Sequence, residues 1–218
     1  MRTISIISQK GGAGKTTLAV HLATAASIER VTLLIDTDPQ ATASRWGQWR
    51  GGMDPEVIDC GAPSLLGDKL SKAEALGAEL VVIDTPPHAD AMARQAAKLA
   101  DLILVPCRPK AFDLAAIEAS AELVTASKKP AFVVFMAGPP RAPLIYQEAH
   151  ELITGKFGLP IAPVSLPERG AFHHSTAAGR TAPQFAPASK AAAEIAALWA
   201  WTREQVHLST CEQAVVFA

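Results

Sequence analysis

Cysteine is scarce in this chain and badly placed for either of its structural uses. Only Cys60, Cys107 and Cys211 occur, an odd number, widely spaced and without any C-x-x-C pair. That excludes a disulfide framework and a zinc cage, and leaves reduced, buried thiols as the expectation. Long hydrophobic runs are missing too. No segment offers the about 20 uninterrupted apolar residues of a membrane span, and no basic stretch leads into an apolar core near Met1. A cytoplasmic protein is expected. Charge of one sign is not in excess: the formal net charge is −1, so the total demands neither nucleic acid nor an acidic membrane as partner, although a local patch can hide in a neutral sum. Charged residues make up 19% against 49% hydrophobic ones. This balance excludes intrinsic disorder and, over 218 residues, allows one domain with a substantial core.

What is present is alternation. Short β-branched runs at about 3–8, 31–36, 56–59, 79–84, 102–106, 131–136 and 161–164 read as strands. Alanine-rich stretches at about 15–28, 40–50, 64–76, 89–99, 112–127, 144–156 and 188–206 read as helices. Leu80-Val81-Val82-Ile83 and Leu102-Ile103-Leu104-Val105 are almost continuously apolar, as strands covered on both faces must be. The expected fold is α/β, P-loop NTPase-like: a mainly parallel twisted sheet with helices on both faces. Neither a repeat nor a long linker divides the chain, so residues 1–207 are expected to form a single domain, with 208–218 as a tail.

Directly after the first strand-like run stands Gln9-Lys10-Gly11-Gly12-Ala13-Gly14-Lys15-Thr16-Thr17. A glycine-rich loop between strand and helix lets backbone N–H groups close around phosphate oxygens, and the helix start adds its positive end. The spacing G-x-x-x-x-G-K-[ST] is met except at its first position, where Gln9 replaces glycine. A second lysine, Lys10, follows at once. A loop with a lysine at each end is narrower in meaning than a generic nucleotide site.

Ligands of an open parallel sheet gather at the carboxyl ends of its strands, and three carboxylates are expected there. Asp84 ends Val81-Val82-Ile83, and Asp36 and Asp38 end Leu33-Leu34-Ile35. An apolar strand ending in Asp beside a P-loop is the Walker B arrangement: the carboxylate holds a magnesium-bound water while the loop hydroxyl, Thr16, ligates the metal. Residues two apart on a strand share a face, so Asp36 and Asp38 both reach the site if the strand continues that far. Asp38 then either orients the attacking water or caps a helix opening at Pro39.

Lys10 to Thr17, Asp36-Thr37-Asp38-Pro39-Gln40 and Asp84-Thr85-Pro86-Pro87 together resemble the ParA/MinD group of deviant Walker A ATPases, and small ParA-type DNA-partition proteins most of all. The likeness extends through Ala100 to Pro106, Phe112-Asp113-Leu114 and a looser Arg169…Gly179-Arg180 stretch, about residues 1–205 in all. It implies ATP and Mg²⁺ as cofactors, bound by Gly11, Gly12, Ala13, Gly14, Lys15, Thr16 and Thr17. Lys15 is implied on the β- and γ-phosphates, Thr16 on the magnesium and Thr17 on the α-phosphate. Asp36 and Asp84 would steady the metal's waters, and Asp38 would position the attacking water. Lys10 would reach into the nucleotide of a second copy in an ATP-sandwich homodimer. A cation that arrives only with the assembled dimer suits a transferring phosphoryl group.

The resemblance further implies non-specific DNA binding in the ATP state, hence a nucleoid location, and a ParB-type centromere-binding partner that stimulates hydrolysis. It implies part of an adenine pocket after Pro106. With the loop beginning within ten residues of Met1, the compact form of the group, without a helix-turn-helix segment before the loop, is expected. Candidate DNA contacts are Arg169, Arg180 and Lys190, with Lys156 and Arg203 beside them. The final helix lacks the lysine and arginine face of a membrane-targeting helix, so no membrane binding is expected. Trp46, Trp49, Trp199 and Trp201 read as core or interface aromatics at helical spacing, and His21 and His88 as structural or surface residues. Rival readings are an ATPase of the same kind that positions a protein cargo, an ATP-dependent amidotransferase or ligase, and an electron-transfer ATPase bridged by an iron–sulfur cluster. For the last, Cys60 and Cys107 form no convincing ligand pattern.

Overall fold

In the computed structural model, which describes residues 1–88, 90–110, 113–114 and 116–208, the apolar runs become one six-stranded sheet. Its strands are β1 (Arg2–Ile6), β2 (Thr32–Asp36), β3 (Glu56–Asp59), β4 (Leu80–Asp84), β5 (Leu102–Cys107) and β6 (Ala131–Phe135). They lie in the order β3-β2-β4-β1-β5-β6, with every pairing parallel. The helices are α1 (Lys15–Ser27), α2 (Thr42–Trp49), α3 (Pro63–Ala75), α4 (Asp90–Leu99), α5 (Ile117–Ser127), α6 (Pro143–Leu152), α7 (Gly170–Ala177), α8 (Ala182–Phe185) and α9 (Lys190–Gln205), and a π-helical turn, Ile153–Phe157, prolongs α6.

The two-residue period of the strands divides the core in two. Ile4, Ile6, Leu80, Val82, Leu102 and Leu104 face a cluster completed by Leu18 and Leu22 of α1 and Leu198 and Trp199 of α9. Their neighbours Val81, Ile83, Ile103 and Val105 face the other side, against Leu66 of α3, Met92 and Ala96 of α4 and Val124 of α5. Strands buried on both faces have no polar side to spend, which is why these runs are apolar throughout. Among the described residues no helix is long and apolar enough to cross a membrane.

Residues 161–164 do not form a strand. Only isolated bridges join Val133 to Ile161 and Met136 to Leu166. The reason is Pro163: Val133 N–H donates to the Pro160 carbonyl and Ala162 N–H to that of Val133, but a proline in mid-run has no donor to continue the ladder. Helices α7 and α8 fall in a segment for which no element was expected. Pro63 and Pro143 occupy the first turn of α3 and of α6, where the missing N–H costs nothing. Phe112 and the tail 209–218 lie outside the described residues.

Candidate functional site

The loop between β1 and α1 takes its shape from two glycines with positive φ, Gly12 at 72° and Gly14 at 102°, the latter at the N-cap of α1. A side chain at either would be strained in this left-handed backbone, and a Cβ on Gly14 would also lie 3.1 Å from Met136 Cε. Gln9, standing where the general motif has glycine, is buried. Its Nε2 donates to Asp90 Oδ1 at 2.9 Å and its backbone N–H to Ser120 Oγ at 3.0 Å. The departure therefore fastens the loop to α4 through its side chain, while the bond to α5 is one that any residue's N–H could make.

Sheet register assembles the acidic half. Asp36 is the register partner of Asp84 on one side and of Asp59 on the other, so the carboxyl ends of three adjacent strands each present an Asp. Thr16 donates its hydroxyl to Asp84 Oδ2 at 2.7 Å, which joins the loop and Walker B halves. Asp84 is fully buried. Burial pushes its pKa up to about 7; the Thr16 hydroxyl draws it down, Asp36 pushes it up again, Lys15 draws it down and Asp38 adds a smaller push. Asp84 Oδ1 is buried with no hydrogen-bond partner. An orphan buried acceptor beside a hydroxyl fits the water shell of a small hard cation, which takes few protein ligands.

Asp36 accepts N–H groups on both oxygens, from Asp38 at 3.0 Å and from Ser44 in the first turn of α2 at 2.8 Å. Strand β2 stops at Asp36, and Asp38 sits in the turn that follows. Its Oδ1 accepts from Gln40 N–H at 2.8 Å, so it does cap the turn at Pro39 in this state. It also borders a cavity of about 510 Å³ shared with Pro86, Pro87 and Asp90. Helix α2 begins at Thr42 because this Asp38-capped turn occupies residues 39 to 41.

The two lysines are both engaged within the chain. Lys15 Nζ donates to the Lys10 carbonyl at 3.0 Å, and burial lowers its pKa while Asp84 and Asp38 pull it back up. Lys10 Nζ lies 2.9 Å from Asp113 Oδ2. The loop, Thr16, Asp36, Asp38 and Asp84 thus converge as the sequence suggested. A cavity of about 280 Å³ opens beside Thr16 and Thr17, walled by Trp46, Trp49 and His173.

The candidate DNA contacts do not converge. Arg169 pairs with Glu194 through two hydrogen bonds, Nε to Oε2 at 2.8 Å and a shorter one from Nη2 to Oε1. Arg203 binds Glu29 at 2.9 Å and Lys156 lies 3.5 Å from Glu118. Arg180 and Lys190 are exposed. Trp46 and Trp199 are core residues as expected, whereas Trp49 is exposed. His21 is structural: Nδ1 lies 2.8 Å from the Thr17 carbonyl, and Nε2 accepts the Ala182 N–H at 3.0 Å.

Sequence reasoning missed several residues. Thr37 donates its hydroxyl to the Asp84 carbonyl at 2.7 Å and Thr85 its hydroxyl to that of Ile6 at 2.8 Å, each stitching the end of one strand to its neighbour. No short-range pattern marks such long-range partners. Asp113 carried only a family likeness, and nothing in its spacing from Lys10 announced a contact.

A family profile described as the CobQ/CobB/MinD/ParA nucleotide binding domain matches residues 4–182. The chain is 40% identical over 119 residues to the maintenance of carboxysome distribution protein A of Gloeobacter kilaueensis, an alignment covering 53% of each. It is 35% identical over 118 residues to the protein ParA of Rhizobium radiobacter, covering 52% of this chain and 51% of that one. These alignments thus span about half the length of each relative. Among solved structures, the ATP complex of a Cyanothece McdA superposes with a TM-score of 0.74 at 17% identity, over 98% of this chain and 99% of the other.

Proposed function

The chain belongs to the CobQ/CobB/MinD/ParA nucleotide-binding family, within its ParA/MinD/McdA group of deviant Walker A ATPases, and on that premise we propose that it is an ATP-driven positioning switch whose cargo is a protein assembly. ATP bridges two copies into a DNA-binding dimer, and hydrolysis stimulated by a cargo-borne partner resets it. The observation that carries the reading is a P-loop, with Gln9 in place of its first glycine, joined to Asp84 through Thr16, with Lys10 added at the loop's outer end. The similarity to a carboxysome distribution protein favours a protein cargo over a replicon. DNA partition, the first expectation from sequence, stands second and is supported by the likeness to ParA of Rhizobium radiobacter.

Each residue has work that its position allows. The Gly11–Gly14 backbone cradles phosphate oxygens, and Lys15 leaves the Lys10 carbonyl to neutralise the β- and γ-phosphates. Magnesium, held by Thr16 and through water by Asp36 and Asp84, would draw negative charge from the transferring phosphoryl group. Asp38 exchanges its turn contact for the attacking water. Lys10 of one copy reaches the triphosphate held by the other, a cation supplied only on assembly.

DNA co-sedimentation with ADP, ATP and a slowly hydrolysed analogue tests the switch: binding is expected only with the triphosphates, and equal binding in all states refutes it. Lys10→Ala should keep ATP binding and lose both nucleotide-dependent dimerisation and stimulated turnover. Affinity capture with Asp38→Ala, held in the ATP state, separates the cargoes. Recovery of a component of a protein compartment supports the first reading, and a sequence-specific centromere-binding adaptor supports the second.

A further inference from the structure

In the single chain the Lys10 ammonium is already spoken for. It lies 2.9 Å from Asp113 Oδ2, with the Lys10 side chain 31% and the Asp113 side chain 11% exposed. The space around the pair, bounded by Ser8, Ala13, Pro106 and Cys107, amounts to about 10 Å³. No ligand fits there, so the two side chains serve each other. Asp113 is set by its own turn: its N–H donates to the Lys110 carbonyl at 2.9 Å and its carbonyl accepts from Ala116 at 3.2 Å. Lys10 is also the resting point of the other lysine, through the 3.0 Å bond from Lys15 Nζ to its carbonyl. One residue thus holds the P-loop lysine by its backbone and is itself held by its side chain.

Resting on the reading of Lys10 as the cation given to a second copy, we propose that Asp113 is the resting anchor of Lys10, a positioning residue that keeps the amine stowed until nucleotide and partner are both present. Phosphates that draw Lys15 away take one restraint from the Lys10 backbone. The amine then leaves Asp113 only for a stronger anion, and the triphosphate of a second copy carries more negative charge than one carboxylate. Leaving a mostly buried carboxylate unpaired is costly, so the amine returns to Asp113 when the dimer parts. The ion pair therefore sets a threshold against premature dimerisation and a restoring force after it.

Acylation of the nucleotide-free protein with a lysine-reactive ester, quantified lysine by lysine by mass spectrometry, tests the anchor. In the wild type Lys10 should react about tenfold more slowly than the exposed Lys128 and Lys190; equal reactivity overturns the proposal without any variant. Asp113→Asn should speed labelling of Lys10 about fivefold while leaving Lys128 alone, and Asp113→Glu, which keeps the charge, should restore protection. Unchanged Lys10 labelling in the Asn variant also overturns it. By sedimentation with ATP, Asp113→Asn should dimerise at about tenfold lower protein concentration, because each dimer frees two amines; an unchanged threshold overturns the regulatory role. If Lys10→Ala dimerises normally while the labelling results hold, the proposed function fails and the anchor stands.

Discussion

The Thr16 hydroxyl donates to Asp84 Oδ2 at 2.7 Å, and this one bond fastens the phosphate loop to the strand beside it. It predicts coupled losses. Thr16→Ala and Asp84→Asn should each weaken nucleotide binding in Mg²⁺ by about 10- to 100-fold, with little change when the metal is chelated. Calorimetric titration with Mg²⁺ and with EDTA reads both. If the Asp84→Asn loss is the same with and without Mg²⁺, Asp84 is a structural group and not a metal-site residue.

Two glycines should behave oppositely. Gly179 has φ +65°, and a Cβ there would lie 2.6 Å from the Trp49 backbone carbonyl carbon and oxygen, atoms that cannot step aside. Gly179→Ala should cost about 3 kcal/mol or more. Gly67 lies within α3, where an added Cβ meets nothing within 4 Å, and Gly67→Ala should stabilise by about 0.5–1 kcal/mol. Urea unfolding of both variants checks the contrast.

His21 makes stability fall on the acid side. It is fully buried, its Nε2 must accept the Ala182 N–H, and its proton is therefore on Nδ1, directed at the Thr17 carbonyl. Burial pushes its pKa from 6.5 to about 4, against a small opposing effect of the Thr17 carbonyl. Between these values the unfolded chain binds the proton and the folded one does not. The contribution is thus full above about pH 6.5 and is lost as pH falls through about 4, by as much as about 3 kcal/mol. Chemical denaturation across this range, comparing wild type with His21→Ala, should show the gap between them closing as pH falls. A constant gap would contradict the assignment.

DNA binding should depend on the exposed cations and not on the committed one. Arg180→Ala and Lys190→Ala should each lower affinity in the ATP state and reduce the salt slope by about 1. Arg169, doubly bonded to Glu194, should contribute little to DNA, and Arg169→Ala should instead lower the melting temperature. Salt titrations of binding, with melts alongside, decide between these roles.

Strands β1 to β6, the P-loop and the Asp-ended strands were legible because each is written in contiguous residues: apolar runs of strand length, glycines at fixed offsets, a carboxylate at a strand end. The run at 161–164 misled because its composition is strand-like while Pro163 interrupts its hydrogen bonding. Helix α7, Gly-Ala-Phe-His-His-Ser-Thr-Ala, has no apolar stripe to show, because a single side chain, Phe172, packs it against His21 and the core, and α8 supports it alongside. The contacts of Gln9 with Asp90 and of Lys10 with Asp113 span 81 and 103 positions, beyond the reach of any local pattern. The difference between Arg169 and Arg180 was equally hidden, since only the fold places Glu194 beside one of them.

Helix α2 and the chain around Arg180 share their fastenings. Trp46 Nε1 donates to the Arg180 carbonyl at 3.3 Å, Arg50 Nη1 to the Gly179 carbonyl at 3.1 Å and to Gln184 Oε1 at 3.2 Å, with the Arg50 guanidinium stacked 4.5 Å over Trp46. The backbone that carries the exposed Arg180 is therefore tied to the helix that follows the Asp38 turn. The link runs through indole and arginine rather than through the sheet.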